Sequence, residues 1–169
     1  IAASLDAMGK RGELIRAGTD WDVIEDNRRQ MIKECPDVYF EITPTVSIMN
    51  VYHLPDFHKE WIDKGLLEPQ NVRMNILTYP TEYRIQIIPP KERKKFIDKY
   101  TEHIKWIDDN FGDGAAKRGF ESVLDFLQQE NYENLIPDFI DRNTPLDKLR
   151  GESLYQVAPE LEFFRDYEY

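Results

Sequence analysis

The sequence predicts an α/β fold, with strands and helices alternating over its first half and a mainly helical second half. Two patterns carry this reading. Short runs rich in β-branched and aromatic residues alternate with helix-spaced apolar residues up to about residue 90. From Lys91 onward the apolar residues keep helical spacing alone. Strands that alternate with helices indicate a parallel sheet or barrel. The expected organisation is therefore residues 1–90 as the α/β part and residues 91–169 as a helical extension. With 169 residues, 41% of them hydrophobic and 12% aromatic, the chain has enough apolar material for a core.

The elements follow in order. Residues 1–6 read as a short strand with Ser4 and Asp6 at its C-terminal end, and Gly9 and Gly12 then loosen the chain before a turn of helix over 13–16. Thr19 or Asp20 caps a helix running to about Glu34, with Trp21, Ile24, Met31, Ile32 and Cys35 inward, and Pro36 stops it. Residues 38–42 and 45–51 read as extended, broken by Pro44. Pro55 suits the first turn of a helix that Gly65 ends. Residues 71–78 alternate as a strand, and 83–88 form a further extended segment closed by Pro89 and Pro90. Beyond them Phe96, Tyr100, Ile104 and Ile107 mark one helix, Phe120, Val123 and Leu127 a second, and Leu135 to Ile140 a third, shorter one.

Composition excludes several function classes. The 22 basic and 32 acidic residues leave a net charge of −10, which opposes nucleic-acid binding through phosphates. No stretch approaches the ~20 apolar residues of a membrane-spanning helix, and no signal pattern opens the chain. Cys35 is the one cysteine, so no internal disulfide forms; it reads as a buried small hydrophobe, and a reducing, cytoplasmic setting fits. The chain opens at Ile1 within what reads as a strand, so the expectation is a fragment whose beginning is missing.

Ligand-binding groups in parallel α/β architectures sit at the C-terminal ends of strands. Three such places stand out: Ser4 with Asp6, Ser47 with Asn50, and residues 75–80. A hydroxyl and a carboxylate two apart on a strand share one side and suit ribose hydroxyls or an amino group; alternatively Asp6 braces the glycine loop. Arg16 stands among apolar neighbours, so it either forks onto a carboxylate or phosphate or pairs with Glu13 or Asp20. His53, His58 and Glu60 do not converge as metal ligands, since two residues on a helix lie about 200° apart. They read as solvated or capping side chains. The carboxylates at Asp108, Asp109 and 130–133 read as solvated helix faces and ends. There is no G-x-S-x-G, P-loop or G-x-G-x-x-G motif.

The segment Ser4-Leu5-Asp6-Ala7-Met8-Gly9, followed by Gly12-Glu13-Leu14-Ile15-Arg16-Ala17-Gly18-Thr19-Asp20-Trp21, resembles the middle of radical S-adenosylmethionine (SAM) proteins. In that family an S-x-D segment ends the fourth strand of a partial (βα)₆ barrel and an I-R-x-G segment leads into the next helix. Thr43-Pro44-Thr45-Val46-Ser47-Ile48-Met49-Asn50 looks like the fifth strand, and residues 71–80 look like the sixth. Leu146-Asp147-Lys148-Leu149-Arg150-Gly151-Glu152-Ser153 with Pro159-Glu160-Leu161 resembles the tail of the twitch-containing branch.

The resemblance implies a partial parallel (βα) barrel of about three to four strands before the helical extension. It implies an oxidoreductase or modifying enzyme in which a 4Fe–4S cluster cleaves SAM to a 5′-deoxyadenosyl radical that abstracts a substrate hydrogen. Ser4 and Asp6 would lie near the ribose or amino group of SAM, Arg16 would hold its carboxylate, and Asn50 would share the rim. The C-x-x-x-C-x-x-C cluster motif is absent, and one cysteine cannot supply three thiolates. The chain is thus expected to carry no cluster, no metal and no catalytic residue of its own. Its expected partners are a second copy or a missing N-terminal half, with neither nucleic acid nor membrane. The alternative is a non-catalytic α/β module that binds a ligand or partner.

Overall fold

The computed structural model describes residues 1–167. In chain order these form β1 (Ala2–Ala3), α1 (Gly9–Ile15), α2 (Trp21–Glu34), β2 (Glu41–Ile42), β3 (Thr45–Val46), α3 (Leu54–Asp63) and β4 (Asn75–Ile76). Two 3₁₀ turns, Thr81–Tyr83 and Ile85–Ile87, lead into α4 (Pro90–Phe111) and α5 (Ala115–Leu127). A third turn, Glu133–Leu135, opens α6 (Ile136–Arg150), followed by α7 (Leu154–Val157) and a 3₁₀ segment, Pro159–Tyr167.

The molecule is mainly helical, and the expected α/β partial barrel of three to four strands is not there. Among the described residues regular pairing is confined to two two-stranded parallel ladders, β1 with β2 (Ala2↔Glu41, Ala3↔Ile42) and β3 with β4 (Thr45↔Asn75, Val46↔Ile76). One isolated parallel bridge, Ile42↔Val72, pairs β2 with the chain ahead of β4. Pro44 separates β2 from β3: it has no N–H to donate, though its carbonyl accepts from Asn75 N at 3.0 Å. The chain before β2 leaves the ladder, with Val38 and Tyr39 41% and 60% exposed. Residues 83–88, read as extended, are mostly 3₁₀ turns, yet Ile85, Ile87 and Ile88 are fully buried. A short buried apolar run has no periodicity that separates a strand from a turn, and among the described residues no strand pairs with it to select one.

The helices are built more nearly as their sequence suggests. The Asp20 carboxylate caps α2, accepting from the amides of Asp22 (3.0 Å) and Val23 (3.3 Å). Of the residues expected on its inner side only Trp21 is buried; Ile32 and Cys35 are exposed, because α2 lies over the edge of the core. Gly65, Gly112 and Gly151 take the left-handed backbone after α3, α4 and α6, at φ 68°, 72° and 64°. Helix α6 runs through Pro145 and ends only at Arg150, ten residues beyond the expected Ile140.

One apolar cluster extends from Leu14 to Phe164 and joins both halves of the chain. Trp61 and Phe57 of α3 meet Trp21 at its centre, while Phe120 of α5 packs on Tyr100 of α4. Arg93 closes the far side. Its guanidinium donates to the carbonyls of Ile88, Gln86, Gln129 and Glu130, tying the start of α4 to the chain after α5. Among the described residues no helix is long and apolar enough to cross a membrane.

Candidate functional site

Because the paired strands run parallel, their C-terminal ends lie together, and Asp6, Ser47 and Leu77 each follow one of these ends. Asn50 fastens two of them. Its fully buried carboxamide donates to the carbonyls of Asp6 (2.8 Å) and Thr45 (2.9 Å), and its Oδ1 accepts from Ser47 N (2.8 Å). The Asp6 carboxylate accepts from Thr45 N at 2.7 Å through Oδ1 and from Arg16 Nε at 2.8 Å through Oδ2. Arg16 sits just past α1, and its side chain is 43% exposed, so water screens the pair and it adds about 1 kcal/mol or less. Its two Nη atoms have no protein partner among the described residues.

The expected quartet is thus three together and one apart. Asp6, Arg16 and Asn50 share one hydrogen-bonded cluster, whereas Ser4 is exposed. The chain turns sharply after β1, where Leu5 N donates to Ala3 O at 2.9 Å, and this breaks the alternation that would have set Ser4 and Asp6 on one side.

Above the cluster opens a pocket of about 240 Å³. Asp6, Thr45 and Ser47 line its strand-end side; Leu14 and Ile15 of α1, with Met49 and Leu77, give apolar walls. The far wall is Tyr83 together with Asn143, Leu146 and Arg150 of α6. Burial pushes the Tyr83 hydroxyl pKa up from its usual value near 10, and Asn143 of the same wall works against that rise. Arg150 donates from Nη1 to Leu14 O at 3.2 Å and lies 3.9 Å from the Glu152 carboxylate. This far wall was not legible as a site. Tyr83 stood in an expected strand, and Asn143 lay past the expected end of its helix.

No family model, curated protein or solved structure matches this chain.

The histidines are not solvated as expected. His58 is 1% exposed, with Nδ1 3.0 Å from His103 Nε2 and Nε2 2.9 Å from the Pro69 carbonyl. A carbonyl only accepts, so His58 carries its proton on Nε2 and His103 Nε2–H donates to His58 Nδ1. Burial holds His58 down to about 4 and His103 to about 3, so both rings are neutral near pH 7. His53 Nε2 accepts from Met8 N at 3.2 Å and is likewise lowered by burial, to about 4. Glu60 pairs with Lys64 at 2.7 Å and remains in solvent.

Among the described residues no group of three or more His, Cys, Asp or Glu could hold a metal ion. Cys35, expected to be buried, is exposed after α2. It shares a cleft with Tyr39, Phe40 and Asn71, which precede the strands, so it lies at the opposite end of the ladders from Asp6.

Proposed function

We propose that this chain forms the SAM- and substrate-facing part of a radical SAM-type oxidoreductase or modifying enzyme. The observation that carries the reading is the convergence of Asp6, Arg16 and Asn50 in one hydrogen-bonded cluster at the strand ends, from which Asp6 lines the pocket; these are three of the residues that the resemblance singles out. In this reading Arg16 keeps Nε on Asp6 and offers its free Nη edge to the carboxylate of the methionine moiety. Asp6, oriented by Thr45 N and Arg16, accepts from a ribose hydroxyl or the ammonium group. Asn50 acts on neither directly: it holds the two strand ends in register.

A 4Fe–4S cluster does not fit the residues present. The single cysteine is at the wrong end of the ladders, and no step through a cluster belongs to this chain. Cluster ligands would come from a partner polypeptide, in a reducing, cytoplasmic setting. The edge of β1 away from β2 has no strand beside it among the described residues, and it is where such a partner or a second copy would pair. Sedimentation across protein concentration and ionic strength tests self-pairing: association should rise with salt, since screening weakens repulsion between chains of charge −10.

The test of the ligand reading uses S-adenosylhomocysteine, which keeps the carboxylate, amine and ribose of SAM. Amide NMR shifts should concentrate at Asp6, Thr45, Ser47 and Asn50. Arg16→Lys keeps the charge but loses the fork, and should weaken binding by about 1–3 kcal/mol. Absence of shifts at millimolar ligand, or equal affinity in the variant, would overturn the proposal. Binding of other small molecules with S-adenosylhomocysteine excluded would favour the second reading, a non-catalytic ligand-binding module. That reading draws on Asp6 already having both oxygens engaged within the chain.

A further inference from the structure

The far wall of the pocket has a chemistry that the SAM-facing side does not explain. Asp6 and Arg16 offset one another, so the strand-end side presents little net charge. Arg150 is different. It uses Nη1 on the Leu14 carbonyl, while its Nε and Nη2 have no protein partner among the described residues, and Glu152 stands at 3.9 Å, beyond hydrogen-bond range. Arg150 and Tyr83 line the same pocket, so the guanidinium and the phenol border one space. Between this polar edge and the strand ends lie Leu14, Met49, Leu77 and Leu146. A guanidinium edge without a protein partner, beside apolar walls, matches a molecule with an oxyanion at one end and a hydrocarbon body.

We propose that this pocket anchors the oxyanion of a small ligand, a carboxylate or a phosphate on an apolar body, through Arg150, with Tyr83 donating to the same group. Asn143 lines the same wall, its Nδ2 held by the Phe139 carbonyl at 2.7 Å. Calling this ligand the substrate rests on the radical SAM reading; the anion preference itself does not. The volume of about 240 Å³ suits a body of roughly six to ten heavy atoms.

The experiment compares hexanoate, hexyl phosphate and hexanol on the whole 169-residue chain, by amide shifts at Met49, Asn143, Leu146 and Arg150. At least one of the two anions should bind at least tenfold more tightly than hexanol, and which of the two binds better distinguishes carboxylate from phosphate recognition. Arg150→Met should abolish the preference, Arg150→Lys should retain part of it, and Tyr83→Phe should weaken the preferred anion several-fold. A spectrum of Arg150→Lys that matches the parent outside the pocket separates loss of binding from loss of fold. Equal affinity for hexanol and both anions, or an undiminished preference in Arg150→Met, would sink the proposal. Anion binding that survives while S-adenosylhomocysteine fails to bind would leave the anchor standing and remove the radical SAM reading alone.

Discussion

Asn50 satisfies three backbone groups with one carboxamide, and nothing of similar size does the same. Aspartate would set a second oxygen against the carbonyls of Asp6 and Thr45, and alanine would leave both of them and Ser47 N without a partner. Each orphaned buried group costs about 1–3 kcal/mol. Asn50→Ala should therefore destabilise the chain by about 3 kcal/mol, and Asn50→Asp by at least as much at neutral pH, both read from urea midpoints. A cost under about 0.5 kcal/mol would mean that the strand ends are held by something other than this side chain. Asn50 was legible in the sequence as a polar residue at a strand end. Its role was not, because which backbone groups an amide meets depends on where the preceding strand lies.

At the scale of elements, the packing of α3 on α4 passes through the imidazole pair. His58 comes from α3 and His103 from α4, with Phe120 of α5 against both. Lys59 and Lys99 lie near His103 and further disfavour its charge, as Arg11 and Lys99 do at His53. Unfolded, all three histidines take up protons near pH 6.5. Folded, they stay neutral down to about 4, 4 and 3 for His53, His58 and His103. Between these limits the unfolded state binds more protons, so stability falls as pH falls, each pKa unit being about 1.4 kcal/mol. From pH 6.5 to 5 the melting temperature should drop steadily. His103→Gln, which keeps a donor for His58, should reduce the slope by about one proton. Imidazole NMR signals that titrate near pH 6.5 in the native chain would rule this out. The sequence placed His58 on a helix. It could not reveal that a second histidine, 45 residues on, would close over it.

For the whole molecule, the helical half is not an appendage. The apolar cluster is continuous from Leu14 to Phe164, and Arg11 of α1 reaches the terminal segment. Its guanidinium forks onto Glu160 at 2.7 and 2.9 Å and also donates to Val157 O, with both charged side chains under 10% exposed. Unfolding followed by tryptophan fluorescence (Trp21, Trp61 and Trp106) and by helical circular dichroism should give coincident transitions. Separate midpoints would show that residues 1–90 and 91–167 unfold as two units. Arg11→Met leaves Glu160 buried without its partner and should cost about 3–5 kcal/mol, whereas Arg11→Met with Glu160→Leu should recover much of it. A double variant no more stable than Arg11→Met would assign the cost to lost backbone contacts instead.

What the sequence determined by itself is what local chemistry encodes. Asp20 and the glycines after α3 and α4 bound their helices, because capping and left-handed backbone are properties of one or two residues. The acidic balance and the spacing of Phe96, Tyr100, Phe120 and Leu127 were equally local, and these four are fully buried. The tertiary structure decided whatever needed a distant partner. A strand exists only where another runs beside it, so the extended-looking stretches shrank to two-residue ladders and the expected barrel did not form. Likewise the passage of α6 through Pro145 brings Asn143 and Arg150 against the strand ends, which no periodicity in residues 141–150 announced. Periodicity tells a chain which face to bury; only the packed neighbours decide what that face, and the polar groups beside it, will meet.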